Sequence, residues 1–319
     1  MVGRYDIELY NNKVHYHLNI KRNITVLRGD SASGKSEFIR LLSAYNANPE
    51  SSGITLISEK ACSVLTEENW KLFIESYNER IFFIDEGNTF LATEEFAKAV
   101  KKADHYFVII SRERLPQLSY SVEEIYGLRE GDEAGKYRNA TRIYNEMYQL
   151  YNNQLGNIAE PEVVITEDSN SGCEFFCEVY PDKCISAGGK SNIQGKIVGA
   201  KENQILTIVD GAAFGPEMQA CMELIKTSPK SISLYAPESF EYLILKSGLI
   251  EVPKDILEET WNYADSKEFC SWEEYYTAEL SDRTRNGVGQ YSKKKLNKYY
   301  ITKGNLDKIC KCLPWKMVP

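Results

Sequence analysis

The stretch Ile24–Leu42, ITVLRGDSASGKSEFIRLL, decides how the N-terminal half folds. Its opening residues, Ile24 to Leu27, are largely β-branched and stop just before Gly29, which reads as a short strand bounded by a turn. Beyond the turn, Phe38, Ile39, Leu41, Leu42 and Tyr45 recur at helical spacing. Strand, glycine turn and helix in that order are the context in which Gly29-x-x-x-x-Gly34-Lys35-Ser36 binds phosphate. Amides at the start of a helix point at an anion and the helix dipole adds to the attraction. Lys35 then reaches the outer phosphates, and the Ser36 hydroxyl ligates magnesium. Gly29, Asp30, Ser31, Ala32, Ser33, Gly34, Lys35 and Ser36 are therefore the expected cradle for ATP and Mg2+.

A metal at such a cradle needs a carboxylate partner, and RIFFIDEG supplies one. Ile81 to Ile84 read as a buried parallel strand ending in Asp85 and Glu86. Asp85 is expected to hold the metal, and Glu86 to orient or deprotonate the attacking water. The alternative is an acidic turn closing a core strand. HYFVIISRER is a further apolar strand, ending in Ser111 and Arg112, either of which is placed to sense a terminal phosphate. Lys35, Asp85 and Glu86 are the expected catalytic residues.

With RYDIELY and KVHYHLNI as two earlier strands, this order of parts resembles the ATP-binding cassette and related ATPases. There are departures. About fifty residues separate the two motifs, no LSGGQ-like signature occurs, and Ser111-Arg112 stand where the resemblance leads one to expect histidine. YSVEEIYGL closes the domain as a strand or short helix, and Tyr144, Tyr148 and Tyr151 beyond it recur at helical spacing, predicting a connector helix.

The C-terminal half repeats one grammar. VVITEDSNSG and QILTIVDGAAFG each run from an apolar strand through an acidic or glycine turn into a helix, and SISLYAP leads into ESFEYLILKSG. Alternating strands and helices predict a small parallel α/β layer whose strand ends share one edge. Glu167 and Asp210 stand at two such ends and are candidate ligands for a divalent cation, unless they cap the following helices. The arrangement resembles a Toprim domain, the metal-binding fold of topoisomerases, primases and the overcoming-lysogenisation-defect nucleases. The resemblance implies Mg2+, or Mn2+ at this second site, and phosphodiester chemistry. It lacks the second aspartate, because Ala212 follows Gly211; Asp168, Glu238 and Glu241 are the possible substitutes.

The pairing of a P-loop ATPase with a Toprim-like domain resembles those nucleases, many of which act in defence against phage. The chain also resembles short bacterial P-loop proteins sometimes labelled as translation factors. No Asn-Lys-x-Asp guanine-reading sequence occurs. Two functions follow as expectations: an ATP-hydrolysing enzyme coupled to a metal-dependent nuclease of phage defence or mobile elements, or a nucleotide-operated switch whose second domain has lost catalysis and binds nucleic acid or protein. A P-loop kinase is a third, without a recognisable lid or acceptor site. By analogy a homodimer or a partner-protein complex is expected.

The bulk numbers set the frame. At 319 residues there is room for two domains of about 100–200 residues each. The 43% hydrophobic and 26% charged content is that of a globular chain. No apolar run approaches the roughly 18 residues of a membrane span and the N-terminus has no signal-peptide pattern, so a cytosolic protein without a membrane partner is expected. The eight cysteines form no paired CxxC motifs and read as reduced thiols, with zinc at Cys173, Cys177 and Cys184 as the lesser alternative.

Against a net charge of -8, the segment from Arg283 to Lys303 holds seven Lys or Arg and no acid. Arg283, Arg285, Lys293, Lys294, Lys295 and Lys298, interleaved with Tyr291, Tyr299 and Tyr300, are the candidate surface for DNA or RNA, the alternative being a solvated face. SWEEYYTAEL, before it, predicts an amphipathic core helix. The expected organisation is α/β: a P-loop NTPase domain with a mostly parallel sheet over 1–155, a smaller Toprim-like α/β domain over 160–250, and a helical basic region over 251–319.

Overall fold

The computed structural model describes residues 1–29, 34–131, 142–151 and 160–315. They fall into two compact units, one of Met1–Asn152 with Trp261–Cys270, the other of Asn153–Thr260 with Ser271–Pro319. Both are α/β. Among the described residues no helix is long and apolar enough to cross a membrane.

In the first unit β1 (Tyr5–Tyr10) and β2 (Val14–Ile20) pair antiparallel, and β3 (Ile24–Leu27) precedes α1 (Lys35–Ala47). There follow β4 (Thr55–Ile57), β5 (Cys62–Leu65), α2 (Trp70–Ser76), β6 (Ile81–Ile84), α3 (Glu94–Lys102), β7 (Tyr106–Ile110), β8 (Ile125–Glu130) and β9 (Ile143–Gln149). One mixed sheet results, in the order β4-β1-β2-β9-β8-β3-β7-β6-β5. Its run from β8 to β5 is parallel. Every residue of β3, β6 and β7 is buried, as happens when helices cover both faces of parallel strands. On β1 burial alternates, with Ile7 and Leu9 inside and Asp6 outside. Helix α1 packs through Phe38, whose ring lies 4.9 Å from that of Phe83.

The tyrosine spacing that predicts a connector helix belongs to a strand. Tyr144 and Tyr148 lie on β9, antiparallel to β8 and parallel to β2. A spacing of four fits either structure, because i and i+4 share one face of a strand as well as of a helix. Gly127 shows what favours the strand. It pairs with Tyr148, and a Cβ at position 127 would lie 2.5 Å from that ring, so the bare glycine makes room for the aromatic across the ladder.

The second unit contains β10 (Val163–Thr166), α4 (Ser171–Val179), β11 (Cys184–Ser186), α5 (Ile193–Gly199), β12 (Gln204–Ile208), α6 (Gly215–Thr227), β13 (Ser231–Tyr235), α7 (Phe240–Lys246), α8 (Lys254–Glu258), α9 (Trp272–Arg283) and α10 (Lys303–Cys310). Its four strands are all parallel, in the order β11-β10-β12-β13. From β10 the chain moves outward to β11, then returns to the other side of β10 for β12 and continues to β13. The connections therefore part between β10 and β12, the point at which open α/β sheets leave a crevice beyond their carboxyl ends.

The region expected as a separate basic domain over 251–319 is divided between the units, with 261–270 in the first and the remainder in the second. The reason is packing. Tyr276 on α9 lies 5.1 Å, ring to ring, from Tyr242 on α7, and its hydroxyl bonds that of Thr260 at 2.7 Å. In the first unit, Gly3 donates its amide to the Trp261 carbonyl at 2.6 Å, and the terminal amine of Met1 pairs with Asp265 at 2.9 Å. The two groups of residues complete different cores.

Candidate functional site

In the first unit the ends of three neighbouring strands are level. Leu27 pairs with Ile110, and Ile109 with Ile84, so the turns that follow β3, β7 and β6 leave from one edge of the sheet. Gly29, after β3, and Gly34, before α1, have φ of 127° and 81°, values that glycine adopts without steric cost. Gly34 has a second reason to lack a side chain, since a Cβ would stand 2.8 Å from the Tyr16 hydroxyl, which donates to the Gly34 carbonyl. Lys35 is buried, and its ammonium turns back to donate to the Gly29 carbonyl at 2.9 Å. Ser36 is exposed in the first turn of α1. Asp30, Ser31, Ala32 and Ser33 lie outside the described residues.

Asp85 follows β6 and is half-buried. Burial pushes its carboxyl up, partly offset by the Glu86 amide, which donates to it at 2.9 Å. Glu86 itself pairs with Arg112 at 3.0 Å. Ser111 and Arg112 thus differ in kind. The buried Ser111 hydroxyl closes a turn, accepting from the Glu113 amide at 3.1 Å, whereas Arg112 is exposed and supplies charge beside Glu86.

In the second unit Glu167 follows β10 and Asp210 follows β12, on either side of the crevice. They meet: the Asp210 amide donates to Glu167 Oε2 at 3.1 Å. Neither caps a helix, because the caps of α4 and α6 are Asn170 and Phe214. Gly211 explains how Asp210 is held. Its amide donates to the Pro237 carbonyl at 2.6 Å, and a Cβ there would lie 2.6 Å from the Ala236 carbonyl oxygen. The backbones touch at that point, leaving no space for a side chain.

An open pocket is lined by Glu167, Asp168, Asp210, Glu241 and Lys293 among others. Glu241, on the first turn of α7, is buried and accepts from the Tyr291 hydroxyl at 2.7 Å; Tyr291 also bonds Ser171 at 2.6 Å. Glu273, on α9, pairs with Lys293. Burial, and after it the charge of Glu273, push Glu167 up to about 7, against the Asp210 amide and the Lys190 ammonium, which act the other way. Asp210 is raised well above the usual carboxylate range by burial and then by Glu273, Glu167 and Glu241. Glu273 also rises, because burial outweighs the Lys293 ammonium. Burial would lower Lys293, but Glu273, Glu241 and Asp210 outweigh it and hold it above its ordinary value. The carboxylates therefore outnumber the nearby cations.

Sequence reading anticipated Glu167 and Asp210, and named Asp168 and Glu241 as substitutes for the missing aspartate; both line the pocket. Glu238 is buried outside the set of residues that line it. Glu273 was missed, having no strand-end signature on a helix read only for its packing. Lys293 needs correction, since its chain faces the pocket instead of joining a free basic surface. Tyr291 and Tyr300 are likewise buried and cannot stack on bases; the Tyr300 hydroxyl donates to the Gly289 carbonyl at 2.6 Å. Arg283 pairs with Glu279 at 2.7 Å and Arg285 with Asp282, while Lys294, Lys295 and Lys298 are exposed.

The pocket's oxygen donors suit a hard divalent cation. Among the described residues, the group of three ligand atoms lying within 4.8 Å of one another is that of Cys173, Cys177 and Cys184, so the pocket's carboxylates are not gathered at that spacing. Comparison with protein-family models, curated proteins and solved structures finds no match to this chain.

Proposed function

We propose that this protein binds and hydrolyses ATP in its first unit and, in its second, carries a divalent-metal centre that cleaves phosphodiester bonds of a polynucleotide. The observation that carries the second part is the hydrogen bond from the Asp210 amide to Glu167 across the crevice, with Asp168 and Glu241 lining the same pocket and Glu273 close enough to raise Asp210, where the sequence has Ala212. Strand order supports the first part. The turn after β3, Asp85 and Arg112 share one sheet edge, as a triphosphate with its magnesium requires.

In this reading the amides of the turn and Lys35 grip the outer phosphates, Ser36 and Asp85 hold Mg2+, and Glu86 takes a proton from water while Arg112 steadies it. In the second unit Glu167 and Asp210, assisted by Glu241 and Glu273, hold Mg2+ or Mn2+. The metal, when bound, polarises a phosphoryl oxygen and lowers the pKa of water. Lys293 orients a phosphate oxygen beside it, and Tyr291 fixes the Glu241 carboxylate.

The Lys293–Glu273 ion pair favours a second reading, because an ammonium among carboxylates takes over part of a cation's role. There the protein is a nucleotide-operated switch without cleavage. The deciding experiment incubates full-length protein with supercoiled DNA and with single-stranded RNA, in Mg2+ or Mn2+, with and without ATP. Metal-dependent cleavage that disappears in Asp210→Ala supports the enzyme. ATP turnover without cleavage under every condition replaces it with the switch.

A further inference from the structure

A second kind of metal chemistry lies elsewhere in the second unit. Cys173 and Cys177 are four residues apart on α4, so their thiols leave one face of the helix, and Cys184 opens β11 beside them. The three sulfurs lie within 4.8 Å of one another, and those of Cys173 and Cys177 are 3.9 Å apart. Tetrahedral zinc with Zn–S bonds of about 2.3 Å holds its sulfurs roughly 3.8 Å apart. One edge of that tetrahedron is thus already present, and small side-chain rotations complete a face. A disulfide needs sulfurs at about 2.05 Å, close to half the observed separation. All three cysteines are free, and Cys177 and Cys184 are partly accessible, which leaves an ion a way in.

We propose that Cys173, Cys177 and Cys184 form a zinc-thiolate site with solvent in the fourth position. Soft sulfur donors select zinc over the hard cations that suit the carboxylate pocket. The site has a mechanical consequence. The three-residue strand β11 lies at the sheet edge and, among the described residues, pairs with β10 alone, so it has few backbone bonds to hold it. Zinc fastens its first residue to α4, and α4 follows the turn that carries Glu167 and Asp168. Cys173 also lines the carboxylate pocket, so the clamp borders the wall that presents those acids.

The test uses full-length protein prepared under reductant, loaded with Zn2+, passed through gel filtration and analysed for metal, with Co2+ as a parallel spectroscopic probe. The expected result is about one zinc per chain, with thiolate-to-cobalt charge-transfer and tetrahedral d–d bands in the parallel sample. Cys173→Ser, Cys177→Ser and Cys184→Ser should each lose both signals, whereas Cys312→Ser and Asp210→Asn keep them. Wild type that retains no zinc overturns the proposal, as does zinc that persists in Cys184→Ser or vanishes in Asp210→Asn. Should the serine variants fail to fold, maleimide labelling of native wild type decides the matter. Zinc must shield three thiols and a chelator must re-expose them; identical labelling with and without zinc excludes the site.

Discussion

The turn after β3 and the pocket beyond β10 and β12 place charge in opposite ways. The first draws its candidate groups from one contiguous stretch, Gly29 to Ser36, where the expected positive groups are backbone amides and one lysine. The second collects Glu167, Asp210, Glu241 and Lys293, with Glu273 paired to Lys293, from three connecting segments and two helices between 167 and 293. Amides carry partial charges that the helix bears in any case, whereas buried carboxylates repel one another and must be held together by the fold. A contiguous site of the first kind costs its domain little; an assembled one of the second leaves a mark on stability and its pH dependence.

The largest expected effect is at the turn. Lys35→Ala should lower ATP turnover by roughly a hundredfold or more, the scale on which loss of a charge-stabilising group acts. Turnover that survives the substitution breaks the phosphate assignment and removes one side of the contrast.

Next in size is the pH dependence of the pocket. Glu167, at about 7 in the folded protein against an ordinary 4.5, favours the protonated native state, so the folded chain binds more protons than the unfolded one between those values. Stability then falls as pH rises through that window, by on the order of 3 kcal/mol for this group, and Asp210 acts in the same direction. Urea titrations in EDTA at pH 5 and pH 8 should show the loss, and Mg2+ should recover part of it at pH 8. A metal-free stability that is flat or rises with pH contradicts the pocket's electrostatics. Asp210→Asn sharpens the point, since it should stabilise the metal-free protein at pH 8 while abolishing metal-dependent cleavage.

Gly211→Ala should cost about 1–3 kcal/mol, because the obstacle to its Cβ is the carbonyl backbone of Ala236 and Pro237, which cannot swing aside as a side chain would. Thermal unfolding of the full chain measures it. Smallest is Tyr16→Phe, which removes one hydrogen bond to the Gly34 carbonyl and should cost about 1 kcal/mol, read as a few-fold rise in the KM for ATP. A larger change in kcat than in KM would give Tyr16 a part in the chemical step.

Much of this architecture is legible in the sequence. The buried runs of β3, β6 and β7, the helix after Gly34 and the parallel layer of the second unit follow from periodicity and punctuation. The tyrosine-rich connector did not, because a four-residue interval satisfies both periods and the pairing with Gly127 is set by a distant register. The basic tail misled for a related reason. Tyr291, Lys293 and Tyr300 are interleaved as a binding surface would have them, yet Tyr291 and Tyr300 are buried, Tyr291 bonding Ser171 of α4 and Glu241 of α7, and Lys293 pairs with Glu273 of α9.

The sequence by itself determined the strand, turn and helix around Gly29 and Gly34, since local sterics and amphipathic spacing act between near neighbours. Only the tertiary structure decided that Glu241, Glu273 and Lys293 join Glu167 and Asp210, or that three scattered thiols meet. Those encounters depend on strand order and helix packing, and Coulomb forces and ligand geometry respond to distance in space instead of position along the chain.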